Sequence, residues 1–281
     1  MSFQAQNQPQ KPSTQQIVAA AADRLLDALR QGRSEAMADY LRVMGRFHRY
    51  SLNNVLLIAQ QRPAASHVCG FKTWLSLGRH VRKGEKGIKI LAPIVGKKKT
   101  DDDLPEDGRK ERTQIYGFRT VFVFDLEQTD GESLPSAPGV QGDATGHLNA
   151  LFEFVRKQGI TVEFSEGIAP ALGVSCGGKI LLAPGYSEAE TLATLAHEYT
   201  HESMHKDDRR TTTTKTVRET EAEAVAFAVC SGLGLDCGSS SSDYIGLYDG
   251  NADTLMASLE IVQKTACQIL DALTLSAQQG E

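Results

Sequence analysis

The segment Ser187–His205, SEAETLATLAHEYTHESMH, decides how this 281-residue chain is read. Ser187 and Glu190 form a capping-box pair, which opens a helix. Within that helix, His197-Glu198-Tyr199-Thr200-His201 is an H-E-x-x-H sequence. Residues four apart lie about 40° apart around a 3.6-residue helix, so both imidazoles leave one face a single turn apart. That spacing suits two ligands of a tetrahedral Zn²⁺, with Glu198 beside the ion as the base that takes a proton from water. His205 continues the row but stands two turns from His197, roughly 11–12 Å along the axis. It is read as a group behind the ligands or a hydrogen-bond donor to a transition state. A plain surface histidine is the alternative.

The third ligand has to come from elsewhere, and the next helix offers Glu219, Glu221 and Glu223. Glu219 and Glu223 share a helical face, while Glu221 points about 200° away from Glu219. Downstream, Ala222 and Ala224–Val229 are apolar all round, so this helix is expected to be buried, where carboxylates need a cation or hydrogen-bond partners. Glu219 is taken as the ligand, with Glu223 orienting a ligand histidine or substituting for Glu219. Thr216-Val217-Arg218-Glu219 is also a capping box, in which Glu219 would only close a helix end.

TLAHEYTHESMH followed by ETEAEAVAF resembles the HExxH…Glu-x-x-Ala-Asn/Asp/Glu arrangement of ImmA/IrrE-type zinc metallopeptidases, which are thermolysin-like gluzincins. The resemblance covers roughly residues 149–235. It implies Glu219 as third ligand and Glu223 at the supporting position, where Asn or Asp is commoner in that family.

Elsewhere in this half, a helix is expected over His147–Gln158 and a strand over Ile160–Phe164. A hairpin follows in GVSCGGKILLAP with its turn at Gly177-Gly178, then a polar Thr-rich stretch after the HExxH helix. An amphipathic helix covers about Thr254–Leu273. Tyr244, Tyr248 and His205 are candidate oxyanion donors.

Charge separates the two halves. The net charge is −5, yet residues 1–135 hold 21 Lys+Arg against 15 Asp+Glu, and residues 136–281 hold 9 against 20. Within Tyr40–Lys99, 13 basic residues meet one acidic residue, Glu85, which favours a polyanionic partner. Composition is ordinary for a globular protein at 41% hydrophobic and 23% charged, with apolar mass for one large domain or two small ones. No apolar run reaches the ~18–20 residues of a membrane span. The polar start MSFQAQNQPQKPSTQQ is not a signal peptide. Five scattered cysteines (Cys69, Cys176, Cys230, Cys237, Cys267) without a C-x-x-C pair argue against a disulfide framework or zinc knuckle and fit a reducing cytosol.

The first dozen residues are expected to be a disordered tail. Helices are read at Thr14–Leu29, at Glu35–Phe47, and in RYSLNNVLLIAQQRP, ended by Pro63. A turn at Lys83–Gly87, read as a hairpin tip on Gly84 and Gly87, leads into a strand. KKKTDDDLPEDGRKER is a solvent loop. YGFRTVFVFDL is a strand closed by a turn at Thr129-Asp130-Gly131. Around the turn cluster Arg79, Arg82, Lys83, Lys86 and Lys89, with Trp74, Phe71, Tyr50, Tyr116 and Phe118 nearby in sequence. Cations that track phosphates beside rings that stack bases suit single-stranded nucleic acid. The bland alternative makes the rings core and the cations a solubilising rim.

YSLNNVLLIAQQRP, GFKTWLSLGRHVRKGEKGIKILAPI and VFVFDLEQTDGESLP resemble the N-terminal domain of ArdC-type antirestriction proteins. That family joins a single-stranded-DNA-binding domain to a metallopeptidase-like domain in the same order. The resemblance implies a cytoplasmic mobile-element protein that shields incoming DNA from restriction. The expectation is therefore an α+β protein of two domains: a tail at 1–12, a DNA-binding domain at 13–135, a linker at 136–146 and a gluzincin-like domain at 147–281. Its cofactor is Zn²⁺, with Mn²⁺ as the other candidate, and its partners are single-stranded DNA and a possible peptide or protein substrate, with no membrane. The alternatives are a regulatory metalloprotease cleaving a repressor or restriction component, a DNA-binding protector with an idle metal site, and a basic domain that recruits protein.

Overall fold

A computed structural model of the chain describes residues 12–97, 113–133, 144–235 and 251–279. The chain begins with three helices, α1 (Thr14–Arg30), α2 (Glu35–Arg46) and α3 (Leu52–Gln61). α1 starts at a closed capping box between Ser13 and Gln16, and α3 stops two residues before Pro63. Next come β1 (Val68–Cys69), α4 (Phe71–Ser76), β2 (Arg79–Val81), β3 (Ile88–Lys97), β4 (Thr113–Asp125) and β5 (Thr129–Gly131). They form an antiparallel sheet in the order β1-β4-β3 and a separate β2-β5 ribbon.

Two local readings change. The turn at Lys83–Gly84 joins β2 to β3, but these strands pair with β5 and β4 respectively, so it is not a hairpin tip. Gly84 does take a positive φ of 92°. Thr129–Gly131 is a strand rather than a turn, because Arg79 donates to the Thr129 hydroxyl and to the carbonyls of Thr129 and Gly131, bolting it to β2. The outer edge of β3 is closed by amide side chains one α3 face apart. Asn54 gives and takes hydrogen bonds at Leu91 (2.9 and 2.8 Å), and Gln61 does the same at Lys89 (both 2.9 Å). An edge strand capped in this way does not template further pairing.

The second half comprises α5 (Ala144–Lys157), β6 (Thr161–Phe164), β7 (Gly173–Ser175), β8 (Lys179–Leu182), α6 (Glu188–Met204), α7 (Asp207–Thr212), α8 (Lys215–Gly232) and α9 (Ala252–Gln279). β8 lies between parallel β6 and antiparallel β7. The β7–β8 hairpin turns at Gly177 and Gly178, both with positive φ. The Thr-rich stretch carries the short helix α7. Cys230, near the end of α8, is disulfide-bonded, which the scattered cysteines do not anticipate. Cys69, Cys176 and Cys267 are free thiols. The tail, the charged loop, most of the proposed linker, and Tyr244 and Tyr248 lie outside the described residues.

α2 and α8 cross closely enough that a Cβ on Gly45 would stand 2.2 Å from the Ala228 carbonyl oxygen and 2.8 Å from the Gly232 nitrogen. Tyr40, Met44 and Leu56 thereby join Val225, Val229, Leu255 and Leu259 in a continuous apolar core. Arg49 with Asp271 (2.9 Å) and Gln263 on the Tyr50 carbonyl (2.7 Å) tie the connection between α2 and α3 to α9. Among the described residues no helix is long and apolar enough to cross a membrane.

Candidate metal centre and basic sheet face

α6 opens at Ser187, whose hydroxyl caps the Glu190 N–H while the Glu190 carboxylate accepts from Ser187. The helix then packs against α8, and the two supply opposite walls of one site. His197 and His201 bring their Nε2 atoms within 3.1 Å of each other. Glu219 Oε2 lies 3.4 Å from the first and 3.5 Å from the second. Four donors held about 2.0–2.1 Å from a tetrahedral ion stand about 3.3–3.4 Å apart, so three corners of such a shell are in place. Two imidazoles and a carboxylate also match the donor set of metallopeptidase zinc sites.

Each of the two histidines has a partner behind it. His197 Nδ1 faces Glu223 Oε2 at 3.6 Å. Burial would lower the His197 pKa, but hydrogen bonds to Glu219 and Glu223 outweigh it and lift it to about 9. His201 is held down at about 4 by burial and the adjacent His197 charge. Glu219 falls to about 2, chiefly through its hydrogen bond with His197. His201 Nδ1 meets His205 Nδ1 at 2.8 Å, and His205 Nε2 meets Glu221 Oε2 at 3.0 Å. Glu221 in turn accepts from Arg209 of α7.

Glu198 sits at the wall of a cleft of about 510 Å³ lined also by Leu172, Gly173, Thr194, His197 and Glu219. Burial raises its pKa. The β7 backbone crosses so close that a Cβ on Gly173 would come within 2.7 Å of Glu198 Cγ. Glu202, on the same helix, accepts the Gly177 and Gly178 N–H groups (both 2.7 Å) and thereby fixes the hairpin over the cleft.

The basic set divides. Arg79 is bound to the β5 backbone, and Arg82 holds Glu85 (2.9 Å), Asp130 (3.5 Å) and the Glu127 carbonyl. Both guanidinium groups therefore bind the β2–β5 ribbon itself. Lys83, Lys86 and Lys89 are exposed and make no ion pair among the described residues. Trp74, read as a DNA-stacking ring, is a correction. It is 0% exposed and donates from Nε1 to the Phe124 carbonyl (2.8 Å), a core role that leaves no face for a base.

The exposed rings lie on β4 instead. Phe122 is 54% exposed, Phe118 stands on the same strand face, and Phe124 meets Phe71 edge to face at 6.5 Å. Phe122 shares with Lys86, Lys89, Gly84 and Gly87 a cleft of about 770 Å³. A Cβ on Gly87 would touch the Phe122 and Phe124 rings, at 3.1 and 3.2 Å. Sequence reasoning missed Phe122, Glu221 and Arg209. Strand alternation in VFVFD carried the signal for Phe122. Glu221 required the neighbouring helices.

The chain thus joins a first half with a lysine-rimmed sheet to a second half in which a His-Glu-x-x-His helix faces a glutamate-bearing helix, and three side chains of these two helices converge closely enough to hold a metal ion. Residues 8–124 match the family described as the N-terminal domain of anti-restriction factor ArdC. The crystal structure of antirestriction ArdC protein from the R388 plasmid, in its metal-free form, superposes with a TM-score of 0.55 at 21% identity, covering 93% of this chain and 98% of that one. The Mn(II)-bound form gives 0.54 at 22%, covering 94% and 99%. An uncharacterized Bacillus anthracis protein, pXO2-81, is 25% identical over 281 aligned residues, and the match takes in 85% of this chain and 48% of the relative, so the chain spans about half of that protein's length. The first part of this chain thus matches the ArdC N-terminal domain family, and the fold of the chain is that of the R388 ArdC structures.

Proposed function

We propose that the protein is an antirestriction factor that binds single-stranded DNA without sequence preference through its first half and holds a divalent metal, Zn²⁺ or Mn²⁺, in its second. Acting in the cytoplasm on behalf of a mobile element, it would coat incoming strands against restriction. The observation that carries the DNA reading is the β3–β4 face, where Lys86 and Lys89, which make no ion pair among the described residues, flank the half-exposed Phe122 ring. Rings stack any base, and lysines follow phosphates, so such a face favours single strands over a duplex whose bases are already stacked. The test is fluorescence anisotropy with a labelled single-stranded oligonucleotide, titrated over salt with duplex as competitor. Tight binding that weakens steeply with salt and resists duplex is expected. No binding at low salt overturns the reading.

In the metal centre, His197, His201 and Glu219 would hold the ion, which supplies Lewis acidity toward a carbonyl and acidifies water. Glu198 would take the proton at its carboxylate. Its burial raises its basicity, and the Gly173 backbone keeps its side chain against the cleft. Glu223 would orient His197. The cleft beside Glu198 favours a second reading, a peptidase acting on a repressor or restriction component. A Glu198→Ala variant separates the two. Retained antirestriction with retained metal supports the DNA-coating role, and lost antirestriction with both metal and DNA binding retained supports proteolysis.

A further inference from the structure

His201 is the ligand whose orientation is set from deepest in the protein. An imidazole that coordinates through Nε2 carries its hydrogen on Nδ1. His201 Nδ1–H therefore donates to His205 Nδ1 across 2.8 Å, which leaves the His205 hydrogen on Nε2. That N–H points at Glu221 Oε2, 3.0 Å away. Both members of this second contact are sealed from water, with His205 1% and Glu221 0% exposed. Glu221 also accepts from Arg209 of α7 and from Ser258 of α9, so donors from three elements converge on it. A carboxylate only accepts, and this fixes the tautomer of the whole chain in one direction.

We propose that Glu221 is a positioning residue for the metal, acting through His205 on His201, and that Arg209 holds it in register. The proposal rests on the reading that His197, His201 and Glu219 bind a divalent ion. It assigns metal affinity to a carboxylate that never touches the ion, and it couples α7, through Arg209, to the occupied site. Glu221→Gln keeps the volume but presents an amide that can donate to His205 Nε2. That places the His205 hydrogen on Nδ1, facing the hydrogen of His201.

The test uses the full-length protein. Zn²⁺ affinity is measured by competition with a chromophoric chelator, and the Co²⁺-loaded form is examined by visible absorption. Metal-free thermal unfolding is recorded alongside. Glu221→Gln is expected to weaken Zn²⁺ binding about 10–100-fold and to change the Co²⁺ ligand-field bands. Unchanged affinity overturns the proposal. Weaker affinity with unchanged bands also overturns it, because that is what a scaffolding role alone would give. If Glu221→Gln does not fold, Arg209→Met, at a partly exposed position, decides by the same two readouts, with a smaller loss and altered bands expected. If the parent protein binds no Zn²⁺, the underlying metal reading fails and the proposal falls with it. A parent that binds and a Glu221→Gln variant that behaves identically sinks the proposal alone.

Discussion

The metal centre and the β3–β4 face handle charge in opposite ways. In the centre the histidines and the buried carboxylate are partnered: His197 has Glu219 and Glu223, His201 has His205, and Glu221 has His205 and Arg209. On the sheet, Lys83, Lys86 and Lys89 point into solvent with no ionic partner among the described residues. Burial forces the first arrangement, since an unpaired interior charge is costly, while water tolerates the second. The centre's role can therefore be read from what its groups touch. The face's role is read from cations and rings left without internal work.

The largest expected effect tests whether the two regions act independently. His197→Ala should weaken Zn²⁺ binding more than about 100-fold, beyond the loss of an outer partner, and leave single-stranded DNA affinity within about twofold. Chelator competition and anisotropy on the same preparation check both. A parallel loss of DNA binding would mean that the regions are coupled. Gly45→Val attacks what they share. The new side chain meets the Ala228 carbonyl and should cost about 3 kcal/mol of stability, seen as a lower Tm. An unchanged Tm would contradict the close α2–α8 crossing.

Phe122→Ala sharpens the contrast from the other side. Losing one stacked base costs about 1–3 kcal/mol, or about 5–150-fold in DNA affinity, with Zn²⁺ binding intact. pH should act on the centre. Metal-free His197 titrates near 9 and must release its proton to become a ligand. Zn²⁺ affinity should then rise about tenfold per pH unit from neutrality to about 9 and level off above it. His201, held near 4, adds nothing in this window. Calorimetry in buffers of different ionisation enthalpy would show the released proton, and a pH-independent affinity would remove the His197–Glu219 pairing as its cause.

How much was legible in sequence follows the same division. The HExxH helix, its capping box and the carboxylate helix depend on spacing along one element; α6 stands where the periodicity puts it, while α8 is capped by Thr214 rather than by the Thr216–Glu219 pair. Glu221 was set aside because it points away from Glu219 on α8. Its importance comes from His205, Arg209 and Ser258, which belong to three other elements. Trp74 was misread and Phe122 missed for a related reason. Composition marks both as rings near lysines, but only the register of β4 tells which ring lies over the core and which over water. The β2–β5 ribbon was misread because three-residue strands carry no period of their own.

The finest contrast lies within the basic cluster, where sequence counts Arg79, Arg82, Lys83, Lys86 and Lys89 alike. The guanidinium forks of the arginines match carbonyls and carboxylates of the ribbon, whereas the lysines extend beyond it. Counterion release on a single strand contributes about 0.7 to the salt slope per neutralised phosphate. Replacing Lys86 and Lys89 together by Ala should therefore lower the slope of log affinity against log salt by about 1.4. Arg79→Ala should leave that slope unchanged and instead lower the Tm, because the β5 carbonyls lose their donors. If Arg79→Ala lowers the slope as much as a lysine does, its guanidinium leaves the ribbon on binding, and the division between inward arginines and outward lysines fails.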